Sequence, residues 1–120
     1  MVLFRFPRTD QVAGELRPAL VLRRCPGRHE DWLICMVSSQ LRHEIPGIDD
    51  VVHEADVDFR ASGLKMTSVT RTTRVAVDSA ELLLGALGNV DATRLARIHR
   101  NLSHWIAGGE SRPGAKPAEV

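Results

Sequence analysis

A mainly β domain of α+β type, a small antiparallel barrel followed by one C-terminal helix, is the fold class this chain predicts. Three observations carry it. Short apolar runs recur between turn signals as far as Gly88, and a single helical repeat appears late, after Asp91. The chain has 120 residues of which 43% are apolar, enough for one core and one domain. With three Phe, two Trp and no Tyr, that core must be built from Val, Leu, Ile and Ala.

Residues 2–6 read as a short strand closed by Pro7, and residues 8–16 as a polar loop containing Gly14. Residues 19–23 are apolar on both faces, as a buried central strand requires. Residues 25–30 hold Pro26 and Gly27 and form a turn, after which residues 32–37 make a second buried strand. Residues 40–50 form a long loop broken by Pro46 and Gly47. Residues 51–59 alternate, with Val51, Ala55, Val57 and Phe59 on one side and Glu54, Asp56 and Asp58 on the other, which predicts a half-buried strand with one wet face. Residues 60–66 read as a loop around Gly63. Residues 69–77 form a strand whose odd face carries Val69, Arg71, Thr73, Val75 and Val77, turned by Asp78 and Ser79. Residues 82–87 fit strand or helix by pattern alone. Asp91 is an N-cap for a helix that buries Leu95, Ile98, Leu102, Trp105 and Ile106 and leaves Arg94, Arg97, Arg100 and Asn101 outside, with Gly108 and Gly109 as its stop. Residues 1–107 therefore form the domain, and residues 108–120, with two prolines and little to bury, form a disordered tail.

No run approaches the ~18 apolar residues of a membrane span, and no signal peptide precedes the first strand, so the expected location is the cytoplasm with no membrane partner. Cys25 and Cys35 read as reduced and structural. The net charge of +1 says little as a total. Arginine far outnumbers lysine, which suits bidentate phosphate contact, and a coding bias towards arginine accounts for it equally well. The five histidines show no metal-ligand spacing with cysteines or carboxylates, and no Gly-rich phosphate loop or serine-hydrolase elbow is present, so no metal or cofactor is expected.

Arg17 stands before Pro18, which biases it towards an extended backbone and sets it at a strand rim. On pattern alone it is a solvated strand-end arginine. Ser38 and Ser39 end the second buried strand on opposite faces, so at most one of them can face Arg17. On pattern alone, strand termination by self-bonding serines is the better explanation. Arg71, a charge on an otherwise apolar face, either holds a phosphate or pairs with Asp56 or Asp58 on the neighbouring strand. His43, which follows Ser38, Ser39 and Gln40, is the one histidine placed to carry a proton.

Phe6-Pro7 with Thr9-Asp10, Arg17 to Leu22, Val37 to Gln40, Asp58-Phe59 with Ser62-Gly63-Leu64, Ser68 to Arg71 and Leu84 to Gly88 follow one another in a recognisable order and spacing. In these residues the chain resembles the MazF/PemK toxins of bacterial toxin–antitoxin pairs. The resemblance runs from about Met1 to Trp105. It implies an SH3-like barrel, a strand over residues 82–87, and an endoribonuclease toxin, or mRNA interferase, that cuts single-stranded RNA without metal through attack of the 2′-hydroxyl. It implies Arg17, Ser38 and Arg71 as catalytic residues and Thr9, Asp10, Ser39, Gln40 and Thr73 as RNA-binding residues. Some relatives carry an aspartate where this chain has Thr73. A two-fold homodimer and a cognate antitoxin that blocks the groove are implied as partners. The alternatives are a gyrase-binding toxin of the same fold, for which Trp105 is the candidate anchor although core packing explains it more simply, and an inactive family member.

Overall fold

The computed structural model describes residues 1–5 and 16–109. The expectations for the loop at 8–16, with Thr9 and Asp10, and for the tail fall largely or wholly outside the described residues. Six strands form one antiparallel sheet: β1 (Val2–Arg5), β2 (Leu16–Arg24), β3 (Asp31–Ser38), β4 (Asp50–Val52), β5 (Ser68–Ser79) and β6 (Leu83–Ala86), in the spatial order β4-β5-β3-β2-β1-β6. A helical turn, α1 (Phe59–Ser62), crosses between β4 and β5, and α2 (Ala92–Ile106) follows β6. Among the described residues the edge strands β4 and β6 do not pair, so the barrel-like sheet is open.

The expected central strands hold. Leu20 and Leu22 of β2, Cys35 and Val37 of β3 and Val52 of β4 form the main core, covered by Ile98 and Leu102 of α2. On the opposite face Ala19 and Ile34 are buried against Val21, Met36, Ala76 and Leu83 of the edge strand β6, so the sheet curls far enough to bury β2 and β3 on both sides. Each large apolar side chain so buried stabilises the fold by about 1.5–3 kcal/mol. Both cysteines are free, and burial pushes the Cys35 thiol up to about 12. The α2 ends are as their residues dictate. Asp91 accepts the Arg94 N–H at 2.8 Å, and Gly108, at φ 90°, closes the C-terminus with the Gly108 and Gly109 N–H groups on the Trp105 and His104 carbonyls.

Four expectations are corrected. The strand at 51–59 is only Asp50–Val52, because Asp56 and Asp58 turn away from the ladder to bind an arginine. That arginine is Arg94, placed outside the helix by its polarity but only 6% exposed. It lies four residues before Ile98 and eight before Leu102, on the same helical stripe. At the other end of α2, Trp105 and Ile106 are 45% and 67% exposed rather than packed in the core. The regular alternation of β5 also fails. Cys35 pairs with Val75 but Met36 with Arg71, so a bulge of three residues puts Arg71 and Val75 on opposite faces, and Val75 and Val77 are exposed.

The Arg94 guanidinium donates from Nε to Asp58 at 2.8 Å, from one terminal nitrogen to Asp58 and Asp56, and from the other to Asp50 and the Val51 carbonyl. Arg97 adds a 2.6 Å bond to Asp50. Removing one member of such a buried group leaves unpaired charge. Arg94→Met should therefore cost roughly 3–5 kcal/mol in urea unfolding at neutral pH. The Arg94 contact holds the Asp58 carboxyl at about 2, below its ordinary 3.8, so its contribution is complete above pH 3.8 and disappears as pH falls through about 2. The parent should lose stability across that acid window, and Arg94→Met should lack this component. An equally stable Arg94→Met protein with the same acid profile would refute the assignment.

Candidate functional site

A cavity of about 560 Å³ opens where the end of β3 meets the start of β2. Leu3, Pro18, Val37 and Leu64 form apolar wall, and Arg17, Ser38, Ser39 and Gln40 lie around it. The strand register settles which serine accompanies the arginine. Ala19 lies opposite Met36, so Arg17, two residues earlier on β2, and Ser38, two residues later on antiparallel β3, share one face. Met36 is in turn opposite Arg71 of β5, which brings Arg71 onto that same face, outside the cavity lining. Three neighbouring strands thus present Arg17, Ser38 and Arg71 on one side of the sheet. Arg71 does not pair with Asp56 or Asp58 as one reading had it, because Arg94 holds both. Thr73 sits in the β5 bulge and does not line the cavity.

Ser38 is more than a strand end. Its Oγ accepts the Gln40 N–H at 3.0 Å and lies 3.1 Å from Nδ1 of His43. Residues 41–43 form a short 3-10 turn that brings the imidazole back over the end of β3. The loop carrying this turn is fixed at its far end. Asp49 accepts the Ile45 N–H at 2.9 Å and, with its other oxygen, the Thr72 N–H in the β5 bulge at 2.9 Å. Next to it, the Thr70 hydroxyl donates to the Asp50 carbonyl at 2.7 Å. The bulge therefore supplies the amide that holds the loop against the strand bearing Arg71. Burial raises the Asp49 carboxyl above its usual range, against the lowering effect of these two N–H groups and Arg71. Desolvation, then the positive field of Arg71, Arg42 and Arg74, lowers the His43 pKa and favours the neutral ring.

The sequence reading missed the part played by residues 63–66. Gly63, at φ 79°, ends α1, and the backbone beyond it carries Leu64, Lys65 and Met66 into the cavity lining, which gives the site a second type of cation. A close approach explains the glycine: a Cβ there would collide with the Leu87 backbone. Arg17 and Lys65 beside apolar walls and a hydroxyl donor can together take a phosphate next to an apolar ring. Among the described residues no three His, Cys, Asp or Glu side chains gather as a potential metal site, and no helix is long and apolar enough to cross a membrane.

Comparison with curated proteins finds no match. Residues 1–106 match the family described as PemK-like, MazF-like toxin of type II toxin-antitoxin system.

The loop anchor is testable apart from any activity. Asp49→Ala leaves two amides without acceptors, each costing roughly 1–3 kcal/mol if it stays buried. The expected result is a lower unfolding midpoint together with a shifted His43 imidazole signal in NMR spectra. An unchanged His43 environment would show that Asp49 does not position the loop.

Proposed function

This chain belongs to the PemK-like, MazF-like family of type II toxins, and on that premise we propose that it is an endoribonuclease cutting single-stranded RNA without a metal ion. Membership makes it the toxin of a toxin–antitoxin pair, with an antitoxin as its partner. The nuclease reading is carried by one observation: Arg17, Ser38 and Arg71 come from three adjacent strands onto one face, two of them at the mouth of the cavity.

In the proposed reaction the 2′-oxygen attacks the adjacent phosphorus and the P–O5′ bond breaks. The products are a 2′,3′-cyclic phosphate and a 5′-hydroxyl. Negative charge grows on the phosphate oxygens in the transition state. Arg17 binds them with its planar fork, Arg71 adds positive field from the next strand but one, and the Ser38 hydroxyl donates a hydrogen bond. Ser39 and Gln40, both exposed at the rim, contact the flanking nucleotides, and the apolar wall receives a base. Thr73 lies too far along the bulge to share the cavity, so its part is limited to the RNA path outside it.

Arg17→Ala should reduce cleavage by about 100- to 1000-fold, the typical cost of losing one transition-state donor. Arg17→Lys should fail similarly, because an ammonium cannot span two phosphate oxygens. Ser38→Ala should act in the same direction more weakly. Both arginine variants should keep the parental unfolding midpoint, and EDTA should leave parental cleavage intact. Parent protein that leaves a long RNA whole would end the nuclease reading. Gyrase supercoiling then becomes the assay, with the exposed Trp105 and Ile106 as the anchor to mutate.

We also propose a homodimer as the active species, since a single open sheet of this size offers only a short channel for a strand of RNA. Specific activity should fall with the dimer fraction on dilution. Full activity from a monomer in analytical ultracentrifugation would contradict this.

A further inference from the structure

We propose that His43 is the general base of the reaction, taking the 2′-hydroxyl proton on Nε2 while Ser38 fixes the ring through Nδ1; this rests on the nuclease reading above. A serine hydroxyl has one proton to donate and two lone pairs to accept with. Ser38 Oγ already accepts the Gln40 N–H and lies 3.1 Å from His43 Nδ1. With the imidazole proton on Nδ1, that nitrogen donates to Oγ and both lone pairs are used. The Ser38 proton is then directed outward to a phosphate oxygen, and Nε2 carries the free lone pair. One tautomer thus assigns complementary tasks to the two side chains: serine donates to the phosphate and histidine accepts from the nucleophile.

The surrounding charges favour this assignment over a merely structural contact. Among the described residues, Arg71 and Arg74 from β5 and Arg42 from its own turn act on His43 with their charge. Desolvation and then these three guanidinium groups oppose a resident imidazolium and favour the basic form of the ring. During the reaction they become less unfavourable, because negative charge grows on the phosphate as the proton reaches the ring. The step balances without redox chemistry. The 2′-O–P bond forms as the 2′-proton passes to Nε2, the 5′-oxygen leaves and takes a proton from water, and the imidazolium releases its proton to solvent. The ring is also held in place, since its turn is anchored through Ser38 at one end and through Asp49 to Ile45 and Thr72 at the other.

The test is the pH dependence of kcat/KM on a single-site RNA for the parent, His43→Gln and His43→Ala. The parent should show an acidic limb with its midpoint below the ordinary imidazole value of 6.5. His43→Gln should lose about 100- to 10,000-fold in rate together with that limb, the range a general base supplies. Added imidazole should restore part of the activity of His43→Ala, which it would not do for a residue that only packs. If the parent cleaves and His43→Gln keeps its rate and acidic limb, this inference is wrong and the nuclease reading stands. If His43→Gln is slow but retains the limb and imidazole rescues nothing, His43 is structural and the inference is equally wrong. A parent that leaves RNA intact overturns the nuclease reading and this inference with it.

Discussion

The position of α2 depends on one buried arginine. Arg94 spends its guanidinium donors on Asp50, Asp56, Asp58 and the Val51 carbonyl, and the Asp58 carboxylate that it grips also accepts the Asp91 N–H at the helix start. Ion groups of this kind contribute little net stability over a well-packed apolar replacement, because desolvation offsets most of the attraction. Their effect is selective instead. A leucine stripe could slide along the sheet by one turn at modest cost, whereas a guanidinium between three carboxylates has one seat. That seat sets Ile98 and Leu102 over Val52 and Leu20, and so sets which face of the sheet is core.

From this constraint the geometry of the site follows in steps. Asp50 is bound by Arg94 and Arg97, which pins the short β4 against β5. Its neighbour Asp49 then faces the bulge in β5 and takes the Thr72 amide that the bulge releases from the ladder. The loop 40–49 is held at that end, and its other end is the last residue of β3. Between the two fixed ends only a short turn remains, which brings His43 to Ser38. An interruption in one strand thus contributes to the site twice. It supplies an amide to hold the loop, and it puts Arg71 on the face of Arg17 and Ser38 rather than with Val75.

What the sequence disclosed, and what it hid, divides along the same line. β2 and β3 were legible because burial on both faces leaves an unbroken apolar run, and α2 because Asp91 and Gly108 mark its ends by local chemistry. The stretch 53–58 was misread because alternating acids are the pattern of a wet strand face, while the charge that recruits Asp58 and Asp56 is 36 and 38 residues away on a helix. Arg94 itself stood at the spacing of the buried stripe, and only its polarity argued it out. Arg17, Ser38 and Arg71 were named through the family resemblance, since pattern alone left each with a structural explanation. That they share a face could not be read from the chain, since it depends on the pairing register and on a bulge that no local residue type announces. The Ser38–His43 contact was foreshadowed by sequence proximity, but its geometry needed the turn.

The near-zero net charge conceals a separation of arginines into two roles. Arg94 and Arg97 are matched with Asp50, Asp56 and Asp58, and their charges are consumed by the fold. Because those carboxylates are occupied, they do not neutralise Arg71, whose field reaches Asp49 and His43 instead. On β5 the Arg71 charge therefore acts beside the Ser38 hydroxyl and the His43 imidazole, whose pKa it helps desolvation to lower. On the nuclease reading proposed above, this face of the sheet suits a polyanion and chemistry in which charge appears on a phosphate only at the transition state. A face of this kind needs no excess of basic residues in the whole chain. It needs the neighbouring carboxylates to be engaged elsewhere, and here the arginines of α2 engage Asp50, Asp56 and Asp58.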